Sequence, residues 1–352
     1  MCRKLIVHIV GARPNFIKLA ALYPELCNDF DQLIVHTGQH YDYEMSKVFF
    51  EEFEIPEPNY DLDIGSGSHG YQTGEMLKRC EKVIVKERPK LVIVYGDTNS
   101  TLAGALASVK LGIPVAHVEA GLRCGINFMP EEINRVLVDH ISEMLFAPTK
   151  TALENLRREG INEGVYFTGD IMLDLFLNYR PKFASSHNGD FILATVHRAE
   201  NTDIPNRFKA ILEALLESNE EIIFPMHPRT KKRIEEFNFT WFLESKNIKV
   251  INPLSYIRFL RLMSKSKKVV TDSGGVQKEA YFMGKPCITL REKTEWIETV
   301  SKGWNMLVGA NKDKIVKSIR SFNPKDKPCL SIFGDGKAAE KMAETLNAYS
   351  QN

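Results

Sequence analysis

The chain of 352 residues predicts an α/β fold made of two domains, each a parallel sheet flanked by helices. Three observations carry that reading. Short apolar runs alternate with longer amphipathic segments from one end to the other, the pattern of strand–helix–strand units. The alternation lapses around 178–190, where Arg180-Pro181-Lys182 and Ser185-Ser186-His187-Asn188-Gly189 read as a linker. The length also exceeds what one typical core organises.

Taken in order, the strand candidates of the first half are 5–10, 32–37, 91–95, 115–118, 144–147 and 165–168, all short apolar runs. Helical patterns at 70–87, 100–110 and 130–142 lie between them. After the linker, strands are expected at 191–196, 221–224, 249–252, 268–271 and 286–290, and 336–349 reads as one last helix. The expected architecture is therefore two Rossmann-like domains facing each other across a cleft, 1–177 and 178–335, followed by a helical segment 336–352. Open α/β sheets bind ligands beyond the carboxyl ends of their strands, so chemistry is expected where those ends meet.

Hydrophobic residues make up 43% and charged residues 26%, a soluble globular composition. Lys and Arg number 46 against 45 Asp and Glu, a formal charge of +1, so no global basic field points to nucleic acid. Any cation that meets phosphate must act locally. Six cysteines are scattered without C-x-x-C or metal-ligand spacing, which favours reduced thiols and a cytoplasmic location. The start of the chain, Met1 to Val7, runs into Gly11-Ala12-Arg13-Pro14 without a usable signal-peptide core, and no apolar run reaches membrane-spanning length.

Several polar clusters fall just past predicted strands. The most informative is Asp272-Ser273-Gly274-Gly275-Val276-Gln277-Lys278-Glu279-Ala280, between a strand end and a helix. Paired glycines permit unusual backbone angles and let a ligand approach the chain, and the N-terminus of the next helix favours an anion. Glu279, one to two turns in, is placed to accept hydrogen bonds from vicinal hydroxyls, so phosphate plus ribose is indicated. An ordinary Gly-Gly turn capped by Ser273 or Asp272 is the competing reading. In Gly11-Ala12-Arg13-Pro14-Asn15-Phe16-Ile17-Lys18, Pro14 suits a first helical turn. Arg13 and Lys18 are cations set against the helix dipole, a conflict that an anionic ligand would relieve. Asp97, Glu119 and Glu131 come from separate strand ends or helix starts, and three convergent carboxylates suit general acid–base work. Each alone is more often a cap or a surface charge. His197 and Arg198 could contact a diphosphate or shuttle a proton, although a strand-end histidine is often structural. No metal-ligand motif such as H-E-x-x-H and no G-x-S-x-G elbow is present, so neither a metal site nor a serine hydrolase is expected.

With those motifs in place, the chain resembles the non-hydrolysing UDP-N-acetylglucosamine 2-epimerases of bacteria and archaea. The resemblance runs nearly end to end in a colinear series: 11–18, Thr37-Gly38-Gln39-His40, Gly96-Asp97-Thr98, 118–123, 130–135, Gly169-Asp170, 197–201, 272–280 and Thr294-Glu295. It implies the two-domain fold of type-B glycosyltransferases, a homodimer, UDP held mainly by the C-terminal domain, and a last helix packing back on the N-terminal domain. By motif match, Arg13, Ser273, Gly274, Gly275 and Glu279 would bind diphosphate and ribose, with His197 and Arg198 close by. Phe259 would lie by the uracil, and Lys18, Asp97, Glu119 and Glu131 would flank the sugar. The implied reaction inverts C2 of UDP-N-acetylglucosamine by expelling UDP to leave a 2-acetamidoglucal, then adding it back. No NAD or other cofactor is implied, and no Gly-rich turn fits G-x-G-x-x-G.

Departures from the family pattern matter. Trp296 stands where members frequently carry Arg after Thr-Glu, which resembles a subgroup acting on UDP-2,3-diacetamido uronic acids. The segment 125–129 is shorter than in some relatives. No Arg occurs at 66–72, where some bacterial members bind an activating second substrate molecule, so that activation is not expected. The competing functions are a UDP-sugar glycosyltransferase on the same fold, a hydrolysing epimerase and a non-catalytic nucleotide-sugar sensor.

Overall fold

The computed structural model describes residues 3–39, 47–184 and 189–351; Cys2, His40 and residues 185–188 of the expected linker lie outside them. The chain divides into two compact units, Met1–Asn178 with Leu330–Asn352, and Tyr179–Cys329.

The first unit holds β1 (Lys4–Val10), β2 (Phe30–His36), β3 (Tyr60–Asp61), β4 (Leu91–Tyr95), β5 (Val115–Val118), β6 (Met144–Ala147) and β7 (Val165–Phe167). They form one sheet in the order β3-β2-β1-β4-β5-β6-β7, parallel throughout. The second unit holds β8 (Ile192–Thr195), β9 (Ile222–Pro225), β10 (Ile248–Ile251), β11 (Lys268–Thr271), β12 (Cys287–Thr289) and β13 (Asn305–Leu307). Their order is β10-β9-β8-β11-β12-β13, again parallel. The α/β class with two Rossmann-like sheets is thus what the chain forms. β3 and β13 had no counterpart in the sequence reading, because each is very short and includes a polar residue, Asp61 or Asn305, so no apolar run shows.

Helices cover both faces of a parallel sheet, so its central strands read as continuous apolar runs. All five residues of β4 are buried, as are all four of β5 and of β8. Polar residues inside these strands have designated partners. His8 of β1 lies 2.7 Å from the Tyr95 hydroxyl and 2.9 Å from Gln32 Oε1. Burial pushes its imidazole down to about 4, so it stays neutral. Lys268 of β11 donates from Nζ to the Ile319 carbonyl at 2.7 Å.

Strand order reverses between β1 and β4 in the first sheet, and between β8 and β11 in the second. A crevice opens beyond the carboxyl ends of the strands at each such point. The segments after β1, β4, β8 and β11 are those that carry Arg13, Asp97, His197 and Ser273.

Residues 330–335, grouped with the second domain by the 178–335 boundary, fall with the first unit. The physical reason is a backbone contact. Asp170 N donates to Phe333 O at 2.8 Å. Gly169 (φ +92°) and Gly334 (φ +101°) press together so closely that a Cβ on Gly169 would sit 2.9 Å from Phe333 O. The helix Ala338–Gln351 then buries Met342 and Leu346. It receives Asp174 Oδ2 at the Ala339 N–H (2.7 Å) and donates from Asn347 Nδ2 to Asp29 Oδ2 (2.8 Å).

Asp174 is 5% exposed. Burial raises its carboxyl to about 6, against smaller opposing hydrogen bonds from Ala339 and Ala338. Because the folded value lies above the unfolded one, ionisation costs the native state, and its stability falls as pH rises toward and through 6. Asp174→Asn removes that cost. Urea denaturation should therefore show the variant gaining about 1–2 kcal/mol on wild type between pH 5 and pH 7.5. A gap that stays constant over this range would contradict the assignment.

Candidate active site

The first unit assembles its polar groups where β1, β4 and β5 end. Helix Arg13–Leu26 begins directly after β1 with Ala12 as its N-cap, and Ala12 makes no side-chain cap hydrogen bond. Asn15 fills that role instead. Its Oδ1 accepts from Gly11 N (3.2 Å) and Ala12 N (3.0 Å), and its Nδ2 donates to the Tyr95 carbonyl at 2.7 Å. One amide therefore ties the exit of β1 to the exit of β4. After β4, Thr98 and Thr101 cap the helix Asn99–Lys110 reciprocally.

Lys18 is buried, and its Nζ lies 2.5 Å from Glu119 Oε2. Part of the conflict between helix dipole and cation is thus answered by a protein carboxylate and not by a ligand. Glu119 itself sits at φ +75°, a left-handed conformation that costs a non-glycine residue of order 1–3 kcal/mol. Its backbone N–H and that of Ala120 both donate to Phe146 O, and the buried ion pair adds a further restraint. Arg13 is half-buried, its guanidinium 5.5 Å from the centre of the Phe49 ring.

Asp97 pairs with Arg135, which also reaches Glu132 Oε2 at 3.1 Å. Arg135 is fully buried, whereas the Asp97 side chain keeps 28% exposure. The two adjacent glutamates of the helix Pro130–Ile141 differ in the same way. Glu132 is buried and accepts from Cys124 N (3.0 Å) and Gly125 N (2.9 Å), so it is structural. Glu131 is half-buried in the first turn. Asn134 joins the group by donating to the Asp97 carbonyl (2.9 Å) and to Asn99 Oδ1 (3.2 Å).

In the second unit, Asp272 has no exposure and accepts from His197 N, Arg198 N and Asn201 Nδ2. The end of β8 is thereby bound to the end of β11. The His197 ring lies with Nδ1 3.4 Å from Asp272 Oδ1 and stacks on His227, centroids 5.0 Å apart. Arg198 N-caps the short helix Ala199–Thr202 with no side-chain contribution.

The paired glycines form the first residues of helix Gly274–Met283, and neither has a positive φ. The expectation of unusual backbone angles there is corrected. What Gly274 supplies is space, because a Cβ on it would come within 2.4 Å of Glu295 Oε1. Ser273 makes no side-chain cap hydrogen bond, and the Asp272 carboxylate is committed to β8, which weakens the capped-turn reading. Behind the helix start, Glu295 pairs with buried Arg291 at 2.9 Å, and Lys278 Nζ lies 3.9 Å from the centre of the Trp296 ring. Glu279 and Phe259 are buried, on this helix and on Tyr256–Lys265.

The structure thus brings Lys18 to Glu119 in the first unit, and His197 and Arg198 to the Asp272-Ser273-Gly274 corner in the second. It also reveals Arg135, Asp272, Arg291 and Glu295 as partners of those groups. Asp272 stood inside the motif already singled out. The Arg135–Asp97 pair joins residues 38 apart, and no local pattern announces it.

Alanine at Gly274 sets two effects against each other. Helix propensity favours it by less than the about 1 kcal/mol of an interior position, since Gly274 is the first residue of the helix, while the Glu295 carboxylate, pinned by Arg291, resists the added methyl. Overpacking of a buried site typically costs about 1–3 kcal/mol. Gly274→Ala should therefore show a net loss of stability in urea denaturation, and a net gain would show that Glu295 yields freely.

A family model described as UDP-N-acetylglucosamine 2-epimerase matches residues 25–347. The chain is 55% identical over 352 residues to a UDP-N-acetylglucosamine 2-epimerase homolog of Methanococcus maripaludis, covering 97% of this chain and 99% of that one. It is 47% identical over 355 residues to a UDP-2,3-diacetamido-2,3-dideoxy-D-glucuronate 2-epimerase of Pseudomonas aeruginosa, with coverage of 97% and 99%. The crystal structure of the Methanocaldococcus jannaschii UDP-GlcNAc 2-epimerase, in complex with UDP-GlcNAc and UDP, superposes with a TM-score of 0.90 at 47% identity, covering 99% of this chain and 100% of that one. The chain belongs to the UDP-N-acetylglucosamine 2-epimerase family.

Proposed function

We propose that this isomerase interconverts UDP-N-acetylglucosamine and UDP-N-acetylmannosamine by eliminating UDP and adding it back. The observation that carries the reading is the Lys18–Glu119 pair, a carboxylate that meets a buried lysine and is held in a costly backbone conformation, at a strand end neighbouring the one that precedes Asp97. Strain of that kind concentrates at functional sites. The bound UDP-GlcNAc and UDP of the Methanocaldococcus jannaschii relative support the substrate.

The chemistry asks each unit for a different half of the molecule. C2–H of a sugar is not acidic while the C1–O bond is intact. Stretching that bond builds oxocarbenium character at C1, which acidifies C2–H, and puts negative charge on the departing diphosphate. In the second unit, Arg198, His197 and the helix start at Ser273-Gly274-Gly275 would meet that charge, as would Arg13 of the first. Glu279 would take the ribose hydroxyls and Phe259 would lie by the uracil. One carboxylate of the first unit then removes the C2 proton, giving the 2-acetamidoglucal. A second carboxylic acid returns a proton to the opposite face while UDP oxygen re-forms the bond to C1. Two acid–base groups on two faces are the minimum for inversion, and Asp97, Glu119 and Glu131 share these roles. Lys18 would steady Glu119 as its protonation changes.

A homodimer in the cytoplasm completes the reading. Ile133 and Leu137, four residues apart on one helix, and Phe128 just before it are exposed apolar side chains that a second copy would cover. Five free cysteines among the described residues suit a reducing compartment. No helix among those residues is long and apolar enough to cross a membrane.

Incubation with UDP-N-acetylglucosamine in D2O, without an acceptor, should place deuterium at C2 of both nucleotide sugars as NMR follows the reaction. C2 left fully protiated would defeat the proposal. Release of UDP with free N-acetylmannosamine would identify a hydrolase instead. UDP-2,3-diacetamido glucuronic acid in a parallel tube should turn over more slowly. Asp97→Asn, Glu119→Gln and Glu131→Gln should each lower turnover by at least about 10²-fold, the usual worth of a positioned acid or base. UDP affinity, read by calorimetry, should change little in all three.

A further inference from the structure

His117, in the middle of β5, is fully buried together with Asp139, and neither side chain has any exposure. Its Nδ1 lies 2.7 Å from Asp139 Oδ1 and its Nε2 lies 2.7 Å from the Gly96 carbonyl oxygen. A carbonyl oxygen can only accept. So can an ionised carboxylate. A neutral imidazole has one N–H and would present a lone pair to one of these acceptors. Two acceptors at hydrogen-bond distance require two N–H groups.

The remaining alternative puts the proton on Asp139. Its surroundings argue against that. Asp139 Oδ2 accepts from Gly121 N at 3.0 Å and from the Arg123 guanidinium at 2.7 Å. Burial alone would raise the carboxyl, but the charge and hydrogen bond of Arg123 act against burial and favour the ionised form. Arg123 is met on its far side by Glu159, so one guanidinium stands between two carboxylates.

We propose that His117 is a buried imidazolium and that, with Asp139, it is the positioning residue for the three acid–base carboxylates. The connectivity gives it that office. His117 donates to the carbonyl of Gly96, the residue before Asp97. It stands two residues ahead of Glu119, which follows directly on the end of β5, and Asp139 grips the N–H of Gly121 two residues beyond. Asp139 rides on the helix Pro130–Ile141 that carries Glu131 in its first turn. One ion pair therefore touches every segment that bears a proposed acid or base. A neutral ring would release either Gly96 or Asp139, and with it the fixed spacing of these segments. The positioning role rests on the epimerase reading; the protonation state does not.

Neutron diffraction from crystals of the whole wild-type chain, exchanged into D2O near neutral pD, reads the ring directly. Deuterium is expected on both Nδ1 and Nε2 of His117, and a single deuteron on either nitrogen overturns the proposal. Asp139→Asn keeps the shape of the side chain and removes its charge. It should lower kcat on UDP-N-acetylglucosamine by about 10²-fold with KM changed less than about threefold. An unchanged kcat, or a loss confined to KM, overturns the positioning role. Should that variant fail to fold, the neutron result on the wild type still decides the protonation state, and His117→Gln, a neutral side chain at the other member of the pair, reads the same split between kcat and KM with the same outcomes. Wild type that inverts C2 but carries one deuteron defeats this inference alone. Wild type with both deuterons and no C2 inversion defeats the epimerase reading and leaves the imidazolium standing.

Discussion

Asp272 has no exposure to solvent and spends its carboxylate on the backbone of a neighbouring strand end. Most of the second unit's candidate site depends on that contact. At the carboxyl ends of parallel strands the ladder stops, and the N–H groups of the next residues lose their sheet partners. A buried N–H left unmet costs about 1–3 kcal/mol. At the reversal of strand order two such ends lie side by side, and one short acceptor can meet two consecutive N–H groups of one end. Asp272 does so for His197 and Arg198. In the first unit Asn15 does the same for Gly11 and Ala12 and reaches Tyr95 with its amide N–H. Each unit thereby fixes the loops that a ligand would meet before any ligand arrives.

The second theme is how buried charge is kept. Buried Lys18 has Glu119, buried Arg135 has Asp97, and buried Arg291 has Glu295. Breaking a buried pair by removing one partner costs about 3–5 kcal/mol, because the survivor is left in a medium that solvates it poorly. Such pairs contribute little net stability and much to orientation. Glu119 shows the trade most plainly, since its φ of +75° is unfavourable for any side chain and is upheld by backbone hydrogen bonds to Phe146 and by the ion pair with Lys18.

Local signals account for a good part of this picture. β4 and β5 were readable because strands buried on both faces must be apolar throughout, and their observed bounds match the expected runs 91–95 and 115–118. The ends of elements drifted by one or two residues, as with β2, which begins at Phe30 instead of 32. β3 and β13 were invisible because each is very short and includes a polar residue, Asp61 or Asn305. The family resemblance rested on a colinear series of polar motifs at strand ends, and the family match over residues 25–347 covers all of that series except 11–18.

By itself the sequence determined the α/β class, the succession of strands and helices, and which polar residues stand just past a strand. Those properties follow from hydrophobic period and turn chemistry, which act between neighbours in the chain. Only the tertiary structure decided who faces whom. That Arg135 meets Asp97, that Gly274 makes room for Glu295, and that residues 330–335 lie against Gly169 are contacts between segments far apart in the chain. They are set by how helices and sheet pack, and a one-dimensional pattern holds no record of that distance.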